Sequence, residues 1–244
     1  MDLIVQARMG STRLPNKILY NAINDISFLK YFYNRIRKSN KINRIIIATT
    51  TNKNDNIIED ICIQNNWDYY RGDENDVLDR FYQTSIKFNC KNIIRITSDC
   101  PLIDYQIIDN MIDKFNETKN IDCLRINYYE NYGFPDGTNG EIFTSESLKK
   151  AWENATEQQD REHVSPYIHR NMNVNFFKVD IPLNVKIDLG HLHLSLDNKQ
   201  DLENLRKIIS YFHNIGKNNK FTYIDILEYL NNLPENEIKL FYKF

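Results

Sequence analysis

The chain has 244 residues, 41% of them hydrophobic and 26% charged, with a formal net charge of −2. That length suits one α/β domain, with or without a sizeable insertion, and buries enough core to fold without disulfides or structural metal. The balanced charge carries no nucleic-acid signal, and no apolar run approaches the ~18 residues of a membrane span, so neither partner is expected.

No basic region precedes Asp2-Leu3-Ile4-Val5, so no signal peptide is read and a cytoplasmic protein is expected. Residues 3–7 form a short apolar strand that ends in a loop at Gly10, Ser11 and Pro15. Helical spacing follows over 27–37, a strand over 44–49, an amphipathic helix over 56–65 and a short strand over 68–70. A helix is predicted over 76–88, a strand over 92–96, a helix over 104–115 opened by Asp104, and a strand over 121–126. Alternation in short units predicts an α/β fold with a doubly wound, mostly parallel sheet. Ligands of such sheets bind beyond the carboxyl ends of the strands, where loops 7–17, 71–80 and 97–101 open.

From 127 to 195 the pattern is irregular, with glycines at 133, 137 and 140 and Pro135. Helices are expected around 145–153 and 160–171, strands over 174–180 and 192–196, and helices over 202–212 and 223–230. The whole chain reads as a single domain in which 127–195 is a lid, acceptor or dimerisation insertion. Cys62, Cys90, Cys100 and Cys123 are widely spaced, with no C-x-x-C pair, which argues against a zinc site or a disulfide framework. They read as reduced, mostly buried thiols. Heavy use of Asn, Ile and Lys over 36–66 and 214–238 reads as nucleotide bias in the gene.

The segment from Gln6 to Lys17 carries the most chemistry. Gly10 permits close backbone approach and an unusual φ, Ser11 and Thr12 offer hydroxyls, and successive N–H groups can form an anion nest. Arg8, Arg13 and Lys17 add three cations, a set that suits a triphosphate. The spacing is not that of a P-loop, and composition alone leaves a solvated basic loop as an equal reading.

The run resembles the R-x-x-S-T-R-L-P-x-K signature of the CMP-sugar synthetases, which include the acylneuraminate and 3-deoxy-octulosonate cytidylyltransferases. Four further segments resemble the spore-coat-polysaccharide-F-like branch of that family. They are Asp76-Val77-Leu78-Asp79-Arg80-Phe81, Thr97-Ser98-Asp99-Cys100-Pro101-Leu102, Pro135-Asp136-Gly137 through Glu141-Ile142-Phe143, and Arg161-Glu162-His163-Val164-Ser165-Pro166-Tyr167-Ile168. Two departures stand beside these matches. Tyr20 to Asp25 replaces a Gly/Pro-containing stretch, and a D-T-P-E-D-L segment reads Asp197-Asn198-Lys199-Gln200-Asp201-Leu202.

The resemblance implies a nucleotide-diphospho-sugar transferase-like fold and transfer of CMP from CTP to a small, sugar-like acceptor, with pyrophosphate released, in surface polysaccharide or glycan precursor synthesis. It implies Mg2+ held by Asp99 and Asp197, catalysis by Arg8, Arg13, Lys17 and Asp99, and a homodimer. Nucleotide contacts would come from Ala7, Arg8, Gly10, Ser11, Thr12, Lys17, Asp79, Arg80, Thr97 and Ser98. Acceptor contacts would come from Glu141, Arg161 and His163, with Arg161 or Arg170 as the ligand of an acceptor carboxylate or phosphate; Tyr128, Tyr129 and Tyr132 read equally as pocket lining and as core or surface packing. Bland alternatives remain: Asp99 and Asp197 as helix caps, Asp79 and Arg80 as a surface charge pair, His163 as a structural histidine. Rival activities are transfer to a phosphorylated acceptor or from another NTP, and nucleotide-sugar glycosyl transfer. The last commonly uses a D-x-D motif, and Asp99-Cys100-Pro101 stands at that strand end instead.

Overall fold

In the first strand, β1 (Asp2–Gln6), Leu3 and Val5 join one hydrophobic core and Ile4 joins another. Alternate side chains of a strand point to opposite faces, so an unbroken apolar run fits a strand covered on both sides. The computed structural model describes residues 1–126, 135–179, 182 and 184–243. Tyr128, Tyr129 and Tyr132 lie outside them.

A single turn of tight helix (Lys17–Leu19) follows β1, then a small hairpin of β2 (Asn21–Ile23) and β3 (Ile26–Ser27). This hairpin occupies the first departure from the family pattern and was not predicted. Next come α1 (Phe28–Ile36), β4 (Arg44–Thr50), α2 (Asn56–Asn65), β5 (Asp68–Gly72), α3 (Val77–Lys87) and β6 (Asn92–Thr97). After α4 (Tyr105–Glu117) and β7 (Cys123–Ile126) the chain returns at β8 (Glu141–Thr144), followed by α5 (Ser145–Asn154). Then come α6 (Gln158–His163), α7 (Pro166–Asn171), β9 (Val174–Phe177), α8 (Lys199–Asn214), α9 (Tyr223–Asn231) and α10 (Glu235–Ile238).

One seven-stranded sheet has the order β5-β4-β1-β6-β8-β7-β9. Its strands pair in parallel except for β8, which runs antiparallel to both neighbours. The predicted doubly wound α/β architecture is therefore the observed one. Residues 135–179 contribute two strands to the same sheet. Helices α3 and α5, with Val164 and Ile168, cover one face; α1, α4, α8 and α9 lie on the other. Arg35 of α1 is fully buried and bonds the carbonyls of Ile103 (2.8 Å) and Phe221 (2.8 Å), fastening the C-terminal helices to the sheet. Each carbonyl replaces a water that the guanidinium loses on burial, so the charge costs less than an unpaired one would.

Three predicted elements differ. Residues 192–196 form isolated bridges, Asp136 with His193 and Leu192 with Tyr242, rather than a strand. The helix expected over 160–171 is two short helices broken at Val164 and Ser165. The strand expected over 174–180 stops at Phe177. All four cysteines are buried and free, as expected.

Candidate active site

Strands β1 and β6 lie side by side with Gln6 paired to Thr97, so their following loops leave the sheet together. The first loop is anchored from within, because Met9, Leu14 and Ile18 are buried. Met9 N donates to Asp55 Oδ1 at 2.7 Å, and Asp55 is itself buried. Between these anchors Arg8, Gly10, Thr12 and Arg13 stay exposed. Gly10 does not take the unusual φ expected of it. What it provides is room: a Cβ there would lie 3.1 Å from Glu74 Oε1.

The loops enclose a cavity of about 370 Å³. Its wall includes Ala7, Arg8, Gly10, Ser11, Thr12, Arg13 and Lys17 from the first loop, Arg80 from α3, and Thr97, Ser98 and Asp99 after β6. His163 and Asp197 complete the set of predicted residues that line it. Gln6, Ile18, Val77 and Glu162 also line the cavity and were not anticipated.

Lys17 Nζ stands at the floor, 2.7 Å from Asp99 Oδ2 and 3.1 Å from Asp197 Oδ1. Burial alone would lower the Lys17 pKa, but the two carboxylates outweigh it and the pKa rises. Leu196 N donates to Asp99 O at 2.8 Å, and this backbone bond sets Asp197 beside Asp99 although 98 positions separate them in the numbering. Neither aspartate is a helix cap. Asp104 caps α4, accepting from Gln106 N at 2.8 Å, and Asn198 with Asp201 forms a capping box on α8. The departure at 198–200 therefore keeps a capped helix and leaves Asp197 facing the cavity.

Asp197 has a second set of partners. Arg13 lies 3.1 Å from its Oδ2, His193 Nε2 3.5 Å and Lys243 Nζ 3.4 Å. The His193 hydrogen bond, followed by Lys17 and Lys243, holds its carboxyl well below the usual range, against an opposing effect of burial. Burial would lower the His193 pKa too, yet its bonds to Asp136, Asp197 and Asp201 push it up to about 10. Lys243 packs against Nε2 of the same ring and opposes that rise. His193, Ser195 and Asp197 are spaced i, i+2, i+4 in an extended segment, which puts them on one side. That alternation is legible in the sequence.

Arg80 is 1% exposed, so it is no surface charge. Burial and then the neighbouring Arg8 lower its pKa to about 10. One Arg80 nitrogen donates to Asp73 O, and its buried Nε has no hydrogen-bond partner among the described residues. Two guanidiniums facing one cavity repel until an anion comes between them.

Three predicted site residues lie elsewhere. Asp79 turns to α5, accepting from Trp152 Nε1 at 2.8 Å. Arg161 binds Asp76 Oδ2 through Nε at 3.0 Å and the Trp152 carbonyl at 2.9 Å, tying α6 to α3 and α5. Glu141 on β8 faces α7, with Arg95 at 3.7 Å and His169 at 3.3 Å. Burial alone would raise its pKa, but His169 and Arg95 outweigh it and hold the Glu141 carboxyl at about 2. Arg170, weighed as an anion ligand, instead pairs with the buried Asp160 at 2.7 Å.

His163 ends α6, and Val164 after it has φ 71° and ψ −58°. Ser165 N donates to His163 O at 2.8 Å, closing a γ-turn of the rare, strained hand. Such a conformation in a β-branched residue costs about 1–3 kcal/mol. Full burial of the Val164 side chain contributes roughly 1.5–3 kcal/mol, enough to hold the turn in place.

Relatives of known sequence and structure share the chain's length and fold. Residues 3–240 match the cytidylyltransferase family. An uncharacterized protein of Methanocaldococcus jannaschii is 35% identical over 96% of this chain and 90% of its own. The spore coat polysaccharide biosynthesis protein SpsF of Bacillus subtilis is 29% identical over 95% of this chain and 94% of its own. A cytidylyltransferase of Leptospira borgpetersenii superposes with a TM-score of 0.84 at 28% identity, covering 100% of this chain and 97% of the other. A CMP-2-keto-3-deoxy-manno-octonic acid synthetase shares the fold, with a TM-score of 0.62 at 13% identity over 86% of this chain and 98% of the other. The cationic cavity at the strand ends and the full-length match lead to one conclusion: the chain belongs to the cytidylyltransferase family and resembles SpsF within it.

Proposed function

We propose that this cytidylyltransferase moves CMP from CTP to a small, sugar-like acceptor in the making of a surface polysaccharide precursor. The carrying observation is the Asp99–Lys17–Asp197 cluster on the floor of a cavity walled by Arg8, Arg13 and Arg80. Support for the base and the pathway comes from relatives: SpsF by its role in spore coat polysaccharide, and the octonic acid synthetase by its complex with CTP.

The donor set fits a hard divalent cation. Magnesium takes oxygen ligands from one or two carboxylates plus phosphate and water, and here two carboxylates converge on one point where the Lys17 ammonium stands in for a cation. The His193, Asp197 and Asp201 group fits less well, because Lys243 lies against it and Asp201 is committed to capping α8. Asp99 and Asp197 would thus hold magnesium, which when bound neutralises phosphate charge.

The remaining chemistry belongs to the chain. An acceptor oxygen attacks the α-phosphorus, a P–O bond forms, the α–β bridge breaks and pyrophosphate leaves. Arg8, Arg80 and Arg13 sit where they can hold the phosphates and stabilise the charge that collects on the leaving group. A hydroxyl acceptor must also give up a proton, and we assign that proton to His163 on the wall. A phosphate acceptor would need no such base. Pyrophosphate release should be measured with each of the four NTPs against keto-acid sugars, sugar phosphates and alditol phosphates. Release confined to CTP with a sugar acid or sugar supports the proposal, and release confined to another nucleotide contradicts it.

A further inference from the structure

We propose that Val164 is a positioning residue for the transfer: its left-handed turn aims His163 at the nucleotide cavity. The inference rests on the cytidylyl-transfer reading of that cavity and adds a residue to it.

Glu162 and His163 are exposed on the cavity wall, whereas Val164 and Ser165 are buried immediately behind them. His163 is the last residue of α6 and lines the cavity, so the turn that follows it fixes where its Cα stands against the nucleotide. That backbone is unusual at two successive positions. Val164 has φ 71°, and Ser165 has ψ −10° although Pro166 follows, a combination that proline disfavours in the residue before it. Glycine would take the first conformation without strain, whereas valine takes it because its side chain is fully buried between the helices.

The surroundings fix the turn from several sides. Arg161 fastens α6 to Asp76, and Arg170 reaches both oxygens of Asp160 at 2.8 and 2.7 Å. Val164 N donates to Asp160 O at 3.0 Å. Strained backbone persists only where the rest of the structure over-determines it, and here it abuts the reactive cavity. A misplacement of about 1 Å at a reacting group can lower a rate by roughly 100-fold.

The test compares Val164→Gly, Val164→Ile and His163→Ala, alone and with Val164→Gly added to His163→Ala. All are assayed well below their unfolding temperatures. Val164→Gly should lower kcat by about 10-fold to 100-fold while the Kd for CTP stays within about twofold. Val164→Ile keeps the branched anchor and should restore near wild-type kcat. In the His163→Ala background the glycine should cause no further loss, because a residue acting only through His163 has nothing left to position. In NMR, the His163 ring signal, assigned by its absence in His163→Ala, should shift with CTP and magnesium in the wild type and not in Val164→Gly. Val164→Ala gives the same comparison should the glycine variant not fold. Wild-type kcat in a folded Val164→Gly, an equal further loss on top of His163→Ala, or a His163 ring signal that still shifts with CTP and magnesium in Val164→Gly overturns the proposal. A His163 signal in the wild-type protein that ignores CTP sinks the nucleotide reading first, and this role with it.

Discussion

Lys17 touches both carboxylates of the site, so its removal tests the site and the phosphate loop together. Lys17→Ala should lower turnover by at least about 100-fold with the fold intact, the scale of losing one preorganised charge-stabilising donor. Near wild-type turnover would remove Lys17 from the machinery. Asp99→Asn and Asp197→Asn should each cut turnover on the order of 100-fold and raise the magnesium required, with the double variant little worse than either single. Magnesium titrations of turnover check this; unchanged curves in both variants contradict the two-carboxylate site. Glu141 lies outside the cavity and should behave differently. Its carboxyl falls from the ordinary 4.5 to about 2 in the folded chain. Because the folded value is depressed, the stabilisation is present above pH 4.5 and is lost as pH falls towards 2. At about 1.4 kcal/mol per tenfold change in proton affinity, that is on the order of 3 kcal/mol. Glu141→Gln should therefore be destabilised at pH 7 by a few kcal/mol, and the gap to wild type in urea unfolding should narrow as pH falls from 5 to 2.5. A gap independent of pH would contradict the charge argument.

At the scale of elements, β1, β4, β6 and β7 were legible because each carries a short apolar run, and α4 because an acidic cap opens it. Asp76 accepts from Asp79 N at 2.9 Å, and Asp104 caps α4 as read. The misses have physical reasons. β8 was hidden because Glu141 looks like a loop ligand until Arg95 and His169 pair with it. The break in α6–α7 was hidden because Val164 is not a residue that normally adopts φ 71°. Residues 192–196 alternate like a strand, yet they bridge to Asp136 and Tyr242 instead of joining the sheet. Gly137 decides that last arrangement. It has φ +91°, and a Cβ would lie 2.2 Å from Leu194 C and Ser195 N, the backbone that carries Asp197. Gly137→Ala should cost roughly 2–5 kcal/mol and weaken magnesium-dependent turnover. Gly216 shares the left-handed φ (+77°) with nothing within 4 Å, so Gly216→Ala should cost only about 1 kcal/mol and spare activity. Thermal unfolding and turnover of the pair separate crowding from simple strain; equal losses in both would contradict the packing argument.

Over the whole molecule, the net charge of −2 hides a cavity walled by four cations, three of them legible in one ten-residue loop. The sequence also placed Asp99 and Asp197 at the site, through resemblance. What it could not supply was distance: only the fold brings Asp99 and Asp197 each within 3.1 Å of Lys17 Nζ. No helix among the described residues is long and apolar enough to cross a membrane. The central claim is that this cavity is a metal–CTP site. Calorimetric titration of the protein with CTP, ATP, GTP and UTP, with magnesium and with a chelator, tests it most directly. CTP should bind at least about tenfold more tightly than the others, equivalent to about 1.4 kcal/mol, and only when magnesium is present. Equal affinity for all four nucleotides, or CTP binding indifferent to the chelator, would contradict it.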